Sequence, residues 1–480
     1  MKKLSQLLDN MKIISKKNFK DVNINSLFHS SKDCERNSLY FCITGTKVDG
    51  HNYADEAIKN GAVALIVEKY LPVDVPQILV QNTRIAMSQI ANNFYDKSAE
   101  KLKIISIVGT NGKTTTSMIL AKILRTCGKS VGVVGTNGVY FDEELSLPCD
   151  LTTPDPIEMH YIFSQLVAFK IEYVIIEASA HAIFLNKLYG IKSLIGIFTN
   201  ITNEHLDFFG TMENYASVKM NFFNEDSMEN AIINIDDKYG KELADKIKIP
   251  YLTYGIFNPS NTFAVDIKTS MKGTSFIVNS DDTLLKINTK LVGDFNVYNI
   301  LAGITAGLML GCKVECIEKA LKKLERVDGR FNVYELPNNI KIIIDFAHTP
   351  DGFEKTLSLV KLLRKGRIIT LFGCVEYSDS NKRKLMGEVA DKYSDYLVLT
   401  ADNPNKTSVQ EISKDIVAGI KKCKYEIIED RKVATSKAFG ELIKNDTLVL
   451  LGKGAEKHQK INGILMDYSD IDVVKNLLKK

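Results

Sequence analysis

The chain has 480 residues, of which 45% are hydrophobic and 25% are charged. These proportions exclude a disordered chain, a collagen-like chain and a small disulfide-stabilised scaffold. The 62 Lys and Arg residues nearly balance the 58 Asp and Glu residues, which leaves a net charge of +4. The length predicts about three domains. An excess of four positive charges spread over three domains does not indicate a nucleic-acid-binding protein.

The amino terminus begins with Met and two lysines, but it lacks the apolar stretch and cleavage site of a signal peptide. The most apolar stretch, residues 300–310, is half of the roughly 20 residues that cross a bilayer. Cys312 and Cys316 are close in sequence on a predicted helix, where two packed thiols are more common than a metal site. We therefore expect a cytoplasmic protein with reduced thiols, no membrane insertion and no nucleic-acid partner.

Short β-branched runs alternate with helical patterns along most of the chain, which is typical of βαβ units and parallel sheets. In the amino-terminal part, residues 62–67 and 78–80 are the clearest strands. The polar segment 95–103 then precedes a strongly apolar strand at 104–108. We therefore predict a first domain over residues 1–100.

The alternation continues through a predicted central domain, residues 101–326. Residues 263–291 have the pattern of short antiparallel strands. A long apolar helix over 296–310 is expected to end at Gly311, because glycine is the usual C-terminal cap. The predicted parallel strands of this domain are 130–134, 173–176 and 194–198.

The segment 327–330 has the composition of a hinge, and we predict a third domain over residues 327–480. Four apolar strand candidates in this domain are each followed by a polar residue or a glycine. Ligands in open α/β sheets bind at the carboxyl ends of the strands, so these residues are candidates for a site. The strands are 342–344, 368–372, 397–399 and 448–451, and the residues that follow them are Asp345, Gly373, Asp402 and Gly452. The predicted fold class is α/β.

A glycine-rich loop lies between the strand at 104–108 and a helix predicted to run to about Cys127. Glycines let backbone N–H groups turn towards phosphate oxygens, and the helix N-terminus adds its positive dipole end. Lys113 would reach the outer phosphates, and the Thr114 hydroxyl can hold a magnesium ion. An ordinary glycine turn with an exposed lysine is the alternative, but the strand–turn–helix context favours a phosphate site. The loop reads Gly109-Thr110-Asn111-Gly112-Lys113-Thr114-Thr115.

Two residues separate Gly109 from Gly112, whereas the common P-loop has four residues between its glycines. This shortened loop resembles the ATP loop of the Mur ligase family and of its folylpolyglutamate synthetase relatives. The resemblance extends in order from Ser31 to Asp470 and is strongest to the MurE type. It implies an N-terminal domain for a UDP-linked substrate, a central P-loop ATPase domain with a parallel sheet, and a C-terminal Rossmann-like domain for an amino acid. It also implies ATP and Mg²⁺ as cofactors.

Glu177 ends the strand predicted at 173–176, and a carboxylate in that position can hold magnesium. In Mur ligases the residues that match Glu177 and His205 hold magnesium, and the lysine that matches Lys219 is carbamylated. A lysine held neutral beside a metal can react with carbon dioxide and become an anionic oxygen ligand. Without the resemblance, Lys219 would be an ordinary surface lysine on a helix. The resemblance implies catalytic roles for Lys113, Glu177, His205 and Lys219, and metal ligands at Thr114, Glu177, His205 and carbamylated Lys219.

Thr152-Thr153-Pro154 resembles the T-T-P motif with which MurE-type ligases bind the muramyl peptide acceptor. Lys187 stands where the family more often has arginine, so it keeps the charge but loses the bidentate fork. In the first domain, Ser31 matches the serine of the D-S-R motif of MurE-type enzymes. The aspartate and arginine of that motif are replaced by Ser30 and Lys32. An ordinary turn without a binding role is the alternative for this segment. The residues that the resemblance assigns to the UDP-muramyl peptide are Ser31, Thr46, Lys47, Val48, Thr152, Thr153, Ser179 and Lys187.

The third domain carries Asp345-Phe346-Ala347-His348-Thr349-Pro350, which resembles the D-Y-A-H-T-P motif of the family. Arg330 resembles the arginine that reaches the ATP phosphates when the third domain closes. The ATP-binding residues that the resemblance implies are Gly109, Thr110, Asn111, Gly112, Lys113, Thr114, Thr115, Arg330, Asp345 and His348.

The departures from the family lie around the incoming amino acid. Ser378 stands where an arginine is usual, and Asn405 replaces the arginine of the D-N-P-R motif of diaminopimelate-adding enzymes. A neutral amide cannot replace a guanidinium that pairs bidentately with a carboxylate. The amino-acid-binding residues that the resemblance implies are Ser378, Asp402, Asn403, Pro404, Asn405, Gly452 and Glu456.

The resemblance implies an ATP-dependent amide-bond ligase of peptidoglycan precursor synthesis. Such an enzyme would add an amino acid, lysine or diaminopimelate, to UDP-N-acetylmuramoyl-L-alanyl-D-glutamate through an acyl phosphate. We expect the protein to be a monomer. Two alternatives stay open. One is a Mur-like ligase that acts on a different acceptor outside peptidoglycan, and the other is a non-catalytic protein that binds a nucleotide or a muramyl precursor.

Overall fold

The computed structural model describes residues 1–45, 48–142, 144–147, 151–281, 283–376 and 380–479. Three predicted site residues, Thr46, Lys47 and Ser378, lie outside these ranges. Within these ranges, no helix has both the length and the apolar character that a membrane crossing requires.

The amino-terminal part contains a small sheet with strand order β2-β7-β6-β5-β4, and β1 pairs with β3 beside it. The strands β4, β5, β6 and β7 run parallel, and β2 joins the edge antiparallel. The strands are β1 (Lys2–Lys3), β2 (Ser15–Lys17), β3 (Asn23–Ile24), β4 (Ser26–Phe28), β5 (Ser38–Phe41), β6 (Ala62–Val67) and β7 (Gln77–Leu79), and the helices are α1 (Leu4–Leu7), α2 (Ala54–Lys59) and α3 (Thr83–Phe94).

The central part is built on one large sheet with strand order β11-β10-β9-β12-β8-β13-β14-β15-β16-β17-β18. Its strands are β8 (Lys103–Val108), β9 (Val131–Gly135), β10 (Gly138–Phe141), β11 (Glu144–Leu147), β12 (Tyr173–Ala178), β13 (Ser193–Phe198), β14 (Met228–Asn234), β15 (Tyr251–Gly255), β16 (Thr262–Ser270), β17 (Gly273–Ser280) and β18 (Thr283–Thr289). Its helices are α4 (Lys113–Thr126), α5 (Pro156–Ala168), α6 (Ala180–Phe184), α7 (Leu206–Phe209), α8 (Met212–Met220), α9 (Lys238–Lys246), α10 (Asp294–Met309) and α11 (Val314–Lys323).

The middle of this sheet is parallel, with β8 between β12 and β13. These strands are almost wholly apolar because helices cover both faces: α4 and α10 pack on one face, and α5 packs on the other. The carboxyl ends of β8, β12 and β13 therefore meet at one edge. The antiparallel strands β16, β17 and β18 extend the sheet, as predicted for residues 263–291.

The third part contains a six-stranded sheet with strand order β19-β20-β24-β21-β22-β23, in which all strands except β19 are parallel. The strands are β19 (Asn332–Glu335), β20 (Lys341–Asp345), β21 (Ile368–Phe372), β22 (Tyr396–Leu399), β23 (Lys424–Ile427), β24 (Thr447–Leu451), β25 (His458–Ile461) and β26 (Ile464–Asp467). The helices are α12 (Pro350–Leu363), α13 (Ser380–Tyr393), α14 (Val409–Val417), α15 (Arg431–Gly440) and α16 (Asp470–Leu478).

The predicted α/β class is confirmed, and the clearest predicted strands are present within one or two residues of their predicted bounds. Glu177 lies inside β12 rather than after it, since that strand runs two residues further than predicted. The predicted domain boundaries fall in the 3₁₀ turn Ser98–Lys101 and between α11 and β19. The boundaries themselves stay predictions.

Candidate active site

The glycine-rich loop connects the end of β8 to the first turn of α4, as the sequence predicts. Gly112 has φ +87°, and a Cβ there would lie 2.4 Å from Oδ1 of Asn299. A Cβ on Gly109 would lie 1.9 Å from Oγ1 of Thr199. Both positions therefore require glycine, and the resulting turn leaves the first backbone N–H groups of a long helix directed out of the loop.

The loop is held against the carboxyl end of β13. The amide of Thr110 donates to the carbonyl of Asn200 over 2.7 Å, and the amide of Asn111 donates to Oδ1 of the same residue over 3.0 Å. In return, the Thr199 hydroxyl donates to the Asn111 carbonyl over 2.7 Å. These bonds occupy the amides of Thr110 and Asn111 and fix the loop backbone, so an anion site formed by the amides that follow, at the start of α4, is preorganised.

Lys113 folds back over the loop. Its Nζ donates to the carbonyls of Gly109 and Thr110, each over 2.9 Å. Burial lowers the pKa of Lys113, while the carboxylates of Glu204 and Glu177 act in the opposite direction. The amine of Lys113 is therefore held on the loop backbone within the electrostatic reach of two acidic side chains.

Glu177 and Thr114 form the first of two polar groups around Lys113. The Thr114 hydroxyl donates to Oε2 of Glu177 over 2.8 Å and accepts a hydrogen bond from Nη2 of Arg330, also over 2.8 Å. Thr136 donates to the same carboxylate oxygen over 3.1 Å. A hydroxyl beside a buried carboxylate is a donor set that suits Mg²⁺.

Lys219 is the centre of the second group. Helix α8 places Tyr215 and Lys219 one turn apart, so Nζ of Lys219 reaches the Tyr215 hydroxyl at 2.5 Å and Oγ1 of Thr110 at 3.2 Å. The side chain is almost completely buried. Desolvation, and next the charge of Lys113, hold the pKa of Lys219 well below its usual range. The lowered pKa favours the neutral amine over the ammonium form.

Glu204 completes the second group, and our sequence-based assignment missed it. Its carboxylate accepts from the Tyr215 hydroxyl at 3.4 Å and lies 3.2 Å from Nε2 of His348 and 3.7 Å from Nε2 of His205. Burial alone would raise the pKa of Glu204, but the hydrogen bond with His348 and the charges of His205 and Lys113 hold it well below its usual range. The only signal in the sequence was its place next to His205.

The four predicted metal ligands lie in these two groups, with Thr114 and Glu177 in one and Lys219 and His205 in the other. Among the residues that the structure describes, no three His, Cys, Asp or Glu side chains converge on a metal position. The fit to Mg²⁺ therefore rests on the Thr114 hydroxyl and Glu177, and the ligand assignments of His205 and Lys219 stay predictions.

The third domain contacts the phosphate loop at two points and the neighbouring segment after β13 at a third. Arg330 reaches Thr114, His348 reaches Glu204, and Oδ2 of Asp351 accepts from Nδ2 of Asn111 over 2.8 Å. Asp351 was not among the predicted residues. Asp345, a predicted nucleotide-binding residue, instead contacts the backbone of its own domain.

Asp345 accepts from the amides of Phe331 and Ala347 over 2.6 and 2.8 Å. It therefore shapes the turn that carries Arg330. Burial raises the pKa of this carboxyl group. The predicted contact of Asp345 with the nucleotide stays a prediction.

The acceptor motif lies directly beside Glu177. The Thr153 hydroxyl donates to the carbonyl of Glu177 over 2.7 Å and accepts from the amide of Ser179 over 3.0 Å. The Thr152 and Thr136 hydroxyls are 3.1 Å apart. The motif and the phosphate loop therefore meet at one residue, Glu177, whose main chain contacts Thr153 and whose side chain contacts Thr114.

The remaining predicted acceptor residues lie further out. Nζ of Lys187 is 2.9 Å from Oδ1 of Asp155, and His29 is 3.8 Å from the same carboxylate. A cavity of about 400 Å³ opens beside Asp155, lined by residues of β4, α3 and α5. Ser31 donates to Glu56 over 2.5 Å within the first domain, and Val48 is exposed.

The predicted amino-acid site lies at the carboxyl ends of β22 and β24. Nζ of Lys453, which has no exposed surface, lies 3.8 Å from Asp402 and donates to Oδ1 of Asn403 over 3.2 Å and to the carboxylate of Glu456. A Cβ on Gly452 would lie 2.8 Å from Oδ2 of Asp402, so the two loops touch. Lys453 was not predicted, although it lies next to Gly452.

Asn405 and Glu376 form the other end of this site. Asn405 has φ +51° and is 6% exposed, and its Nδ2 donates to Oε2 of Glu376 over 2.6 Å. Oε1 of Glu376 accepts from the amide of Lys406 over 3.2 Å. A carboxylate thus lies next to the position where diaminopimelate-adding relatives of the resembled family carry an arginine.

Comparison with known proteins agrees with this arrangement. The chain matches the Mur ligase middle domain over residues 107–307, the Mur ligase glutamate ligase domain over 329–454 and the Mur ligase family catalytic domain over 23–95. A UDP-N-acetylmuramoyl-L-alanyl-D-glutamate–2,6-diaminopimelate ligase 1 of Clostridium acetobutylicum is 37% identical over 465 residues, which are 96% of each chain. The corresponding ligase of Clostridioides difficile is 36% identical over 484 residues, which are 100% of each chain.

A solved structure of such a diaminopimelate ligase has a TM-score of 0.69 and is 26% identical, over 99% of this chain and 98% of that chain. The three-domain architecture that the resemblance implied is therefore confirmed. With full-length relatives at this identity, and with the shortened phosphate loop beside Glu177 and the T-T-P motif, the chain belongs to the Mur ligase family of ATP-dependent amide ligases.

Proposed function

We propose that this protein joins a diamino acid to UDP-N-acetylmuramoyl-L-alanyl-D-glutamate, at the expense of ATP, in peptidoglycan precursor synthesis. The observation that carries the proposal is the meeting of the acceptor motif and the phosphate loop at Glu177. Thr153 contacts its carbonyl, and Thr114 contacts its carboxylate. A carboxylate held by the acceptor motif would therefore lie close to the terminal phosphate of a nucleotide held by the loop.

The chemistry that suits this arrangement has two steps. An acceptor carboxylate oxygen attacks the γ-phosphorus of ATP, which breaks the bond to ADP and gives an acyl phosphate. The neutral amine of the amino acid then attacks the acyl carbon, and phosphate leaves as the amide forms and the amine loses a proton. Lys113 offsets the negative charge that develops on the transferring group.

Bound Mg²⁺ would supply further charge neutralisation for phosphoryl transfer, and Thr114 and Glu177 are the residues that fit it. The third domain has a separate task. It contacts the phosphate loop through Arg330 and Asp351 and the adjacent Glu204 through His348, and covering this site excludes water that would hydrolyse an acyl phosphate.

We further propose that Lys219 is carbamylated. A neutral amine can add to carbon dioxide, which forms an N–C bond, releases one proton and leaves an anionic carbamate. The burial of Lys219 and its low pKa support this step, because a protonated amine cannot react. The carbamate would add an anionic oxygen beside the phosphate loop through Thr110, which Lys219 already contacts.

The amino-acid site suits a substrate with two amines. Glu456 lies at one end of the loop Asp402–Asn405, where Asn403 donates to it over 3.2 Å. Glu376 lies at the other end, where Asn405 donates to it. Two carboxylates at opposite ends complement a diamino acid, and lysine and diaminopimelate are the candidates.

We assign the reaction to the cytoplasm, where ATP and UDP-linked precursors are made. We also propose that the protein acts as a monomer. All three domains of the family are matched within this one chain, so the proposed sites are built from its own residues.

Phosphate release by the purified protein tests the proposal. The reaction contains ATP, Mg²⁺ and the UDP-muramyl dipeptide, with a panel of lysine, ornithine and the diaminopimelate isomers. Release that requires both the acceptor and one diamino acid is the expected result. ATP binding without release across the whole panel would overturn it, and would favour a different acceptor or a binding role.

A further inference from the structure

The third domain contains a buried ion pair behind the amino-acid site. Nε and Nη2 of Arg431 donate to the two carboxylate oxygens of Asp470, over 2.9 and 2.8 Å, and neither side chain has any exposed surface. The Tyr468 hydroxyl donates to the same carboxylate over 2.7 Å. Arg431 is the first residue of α15, and Asp470 is the first residue of α16. The pair therefore ties the last helix of the chain to the centre of the domain.

The guanidinium also reaches the ends of two strands. Nη1 donates to the carbonyl of Ala401 over 3.3 Å, and Nη2 donates to the carbonyl of Leu451 over 2.8 Å. These residues directly precede Asp402 and Gly452, with which the two loops of the amino-acid site begin. A guanidinium presents five donors in a rigid plane, so one side chain can hold a carboxylate and two carbonyls at once.

A second buried donor acts on the same backbone. Nε2 of Gln459, in β25, donates to the carbonyls of Ala401 and Asp402 over 3.2 and 3.0 Å. Gln459 is 5% exposed. Two side chains from different elements therefore hold the peptide planes on both sides of the Asp402 Cα, and these planes set the direction of the Asp402 side chain.

We propose that Arg431 and Asp470 are a positioning pair for the second substrate: they fix the carboxyl ends of β22 and β24 and thereby the two loops that receive the amino acid. This inference rests on the proposed function. Both side chains are fully buried and are not among the residues predicted to contact the amino acid. Both act through Asp402 and through Lys453, which follows Gly452 and lies 3.8 Å from Asp402.

The same sheet contains a second arginine–aspartate pair that serves as a control, with its arginine 47% exposed where Arg431 is buried. Arg367 pairs with Asp446 through Nη2 and Oδ2 at 2.6 Å, but this pair lies at the amino ends of β21 and β24. Replacing either arginine by lysine keeps the positive charge and removes the fork. Only the Arg431 variant loses contacts at the end of the sheet that carries the amino-acid site.

Steady-state kinetics of phosphate release compares Arg431→Lys with Arg367→Lys. We expect Arg431→Lys to raise the KM for the diamino acid about tenfold or more and to leave the KM for ATP within about twofold, because a small misplacement of binding groups is costly. Arg367→Lys should leave both KM values unchanged. Equal rises in both KM values for Arg431→Lys, or equal behaviour of the two variants, would overturn the proposal.

Two further measurements test the positioning role if the Arg431→Lys variant is unstable or if the proposed function is wrong. If Arg431→Lys does not fold, Gln459→Met removes two donors from the same carbonyls without burying an unpaired charge, and the same rise in amino-acid KM is expected. If the native protein shows no turnover with a diamino acid, the proposed function has failed, and amide hydrogen exchange decides the positioning role. If Arg431 has the positioning role, amides at residues 400–406 and 451–457 should exchange faster in Arg431→Lys than in the native protein, and amides at 107–116 should exchange at the same rate in both. Unchanged exchange at 400–406 and 451–457 would remove that role.

Discussion

The proposed nucleotide site and the proposed amino-acid site both lie at the carboxyl ends of parallel strands, but they are assembled differently. The nucleotide site depends on one continuous loop, residues 109–115, whose backbone conformation is fixed by two glycines and by the end of β13. The amino-acid site combines Glu376, the loop from Asp402 to Asn405 and the segment from Gly452 to Glu456. No stretch of sequence defines it alone.

The difference has a chemical reason. Phosphate is the same in every reaction of the family, so a local backbone cradle with one lysine suffices. The second substrate must be told apart from other amino acids, and this depends on the charges at both ends of a pocket. A single side chain, such as Asn405 or Glu376, can change that discrimination and leave the phosphate chemistry as it was.

Removing the amine of Lys113 is the strongest test of the nucleotide side of this comparison. Lys113→Ala should lower kcat by about a thousandfold, since a preorganised charge in a water-poor site is lost. Lys192→Ala is the control, because Lys192 is an exposed lysine at the amino end of β13. Phosphate release measures both variants. Turnover of Lys113→Ala within tenfold of the native rate would show that the loop backbone alone carries the phosphate chemistry.

Lys219 tests whether the nucleotide site needs a chemical modification. Lys219→Ala should lower phosphate release by about a hundredfold or more, at low and high bicarbonate alike, because no amine is left to form a carbamate. The native protein should lose activity when carbon dioxide is removed and recover it with bicarbonate. Unchanged activity of the variant would remove the carbamate from the proposal. Lys246→Ala, at an exposed lysine of α9, is the control.

The same contrast explains how much the sequence could predict. The strands and the phosphate loop follow from patterns of a few neighbouring residues, and β6 and β21 lie at their predicted bounds. Glu204 and Asp351 could not be predicted in this way. Each is a single acidic residue whose importance depends on a partner far along the chain: His348 for Glu204, and Asn111 for Asp351.

The amino-acid site shows this limit most clearly. The sequence placed Asp402 and Gly452 at strand ends, the family resemblance added Asn405 and Glu456, and the loss of the expected arginine at 405 was visible. The contact of Asn405 with Glu376 was not, because these residues are 29 positions apart and belong to different strand ends. The buried cation Lys453 follows a predicted glycine, but its burial depends on contacts that only the folded domain brings together.

Changing the charge at the Asn405 end of the amino-acid site tests the second half of the comparison. The double variant Asn405→Arg, Glu376→Gln exchanges a carboxylate for a guanidinium. The ratio of kcat/KM for diaminopimelate to kcat/KM for lysine should rise about tenfold, because a guanidinium pairs with the additional carboxylate of diaminopimelate. The KM for ATP should not change.

Glu376→Gln alone is the control for that experiment, since it removes the carboxylate without adding a cation. If the double variant and the native protein had the same ratio, the Asn405 end of the pocket would not contact the amino-acid side chain. Equal losses with all substrates would instead indicate damage to the whole domain.

His160 extends the comparison to a buried titratable group outside both sites, and its replacement should not affect turnover. The pKa values of Glu204 and Lys113 are shifted both by burial and by charged neighbours, whereas burial alone shifts the pKa of His160. His160 is 1% exposed and packs against Phe163, and in the described part of the chain neither ring nitrogen has a hydrogen-bond partner. Burial lowers the pKa of His160 to about 4, from an ordinary value of 6.5.

This depressed pKa predicts the acid sensitivity of the fold. Between pH 6.5 and pH 4 the unfolded chain binds a proton at this position and the folded chain does not, so stability falls as the pH falls through that window. His160→Leu should remove this loss, and at pH 5 it should recover about 2 kcal/mol relative to its effect at pH 7.5. Urea unfolding at the two pH values measures the difference, with His458→Leu, an exposed histidine, as the control. Equal effects of His160→Leu at both pH values would mean that the ring is already protonated, or hydrated, inside the native protein.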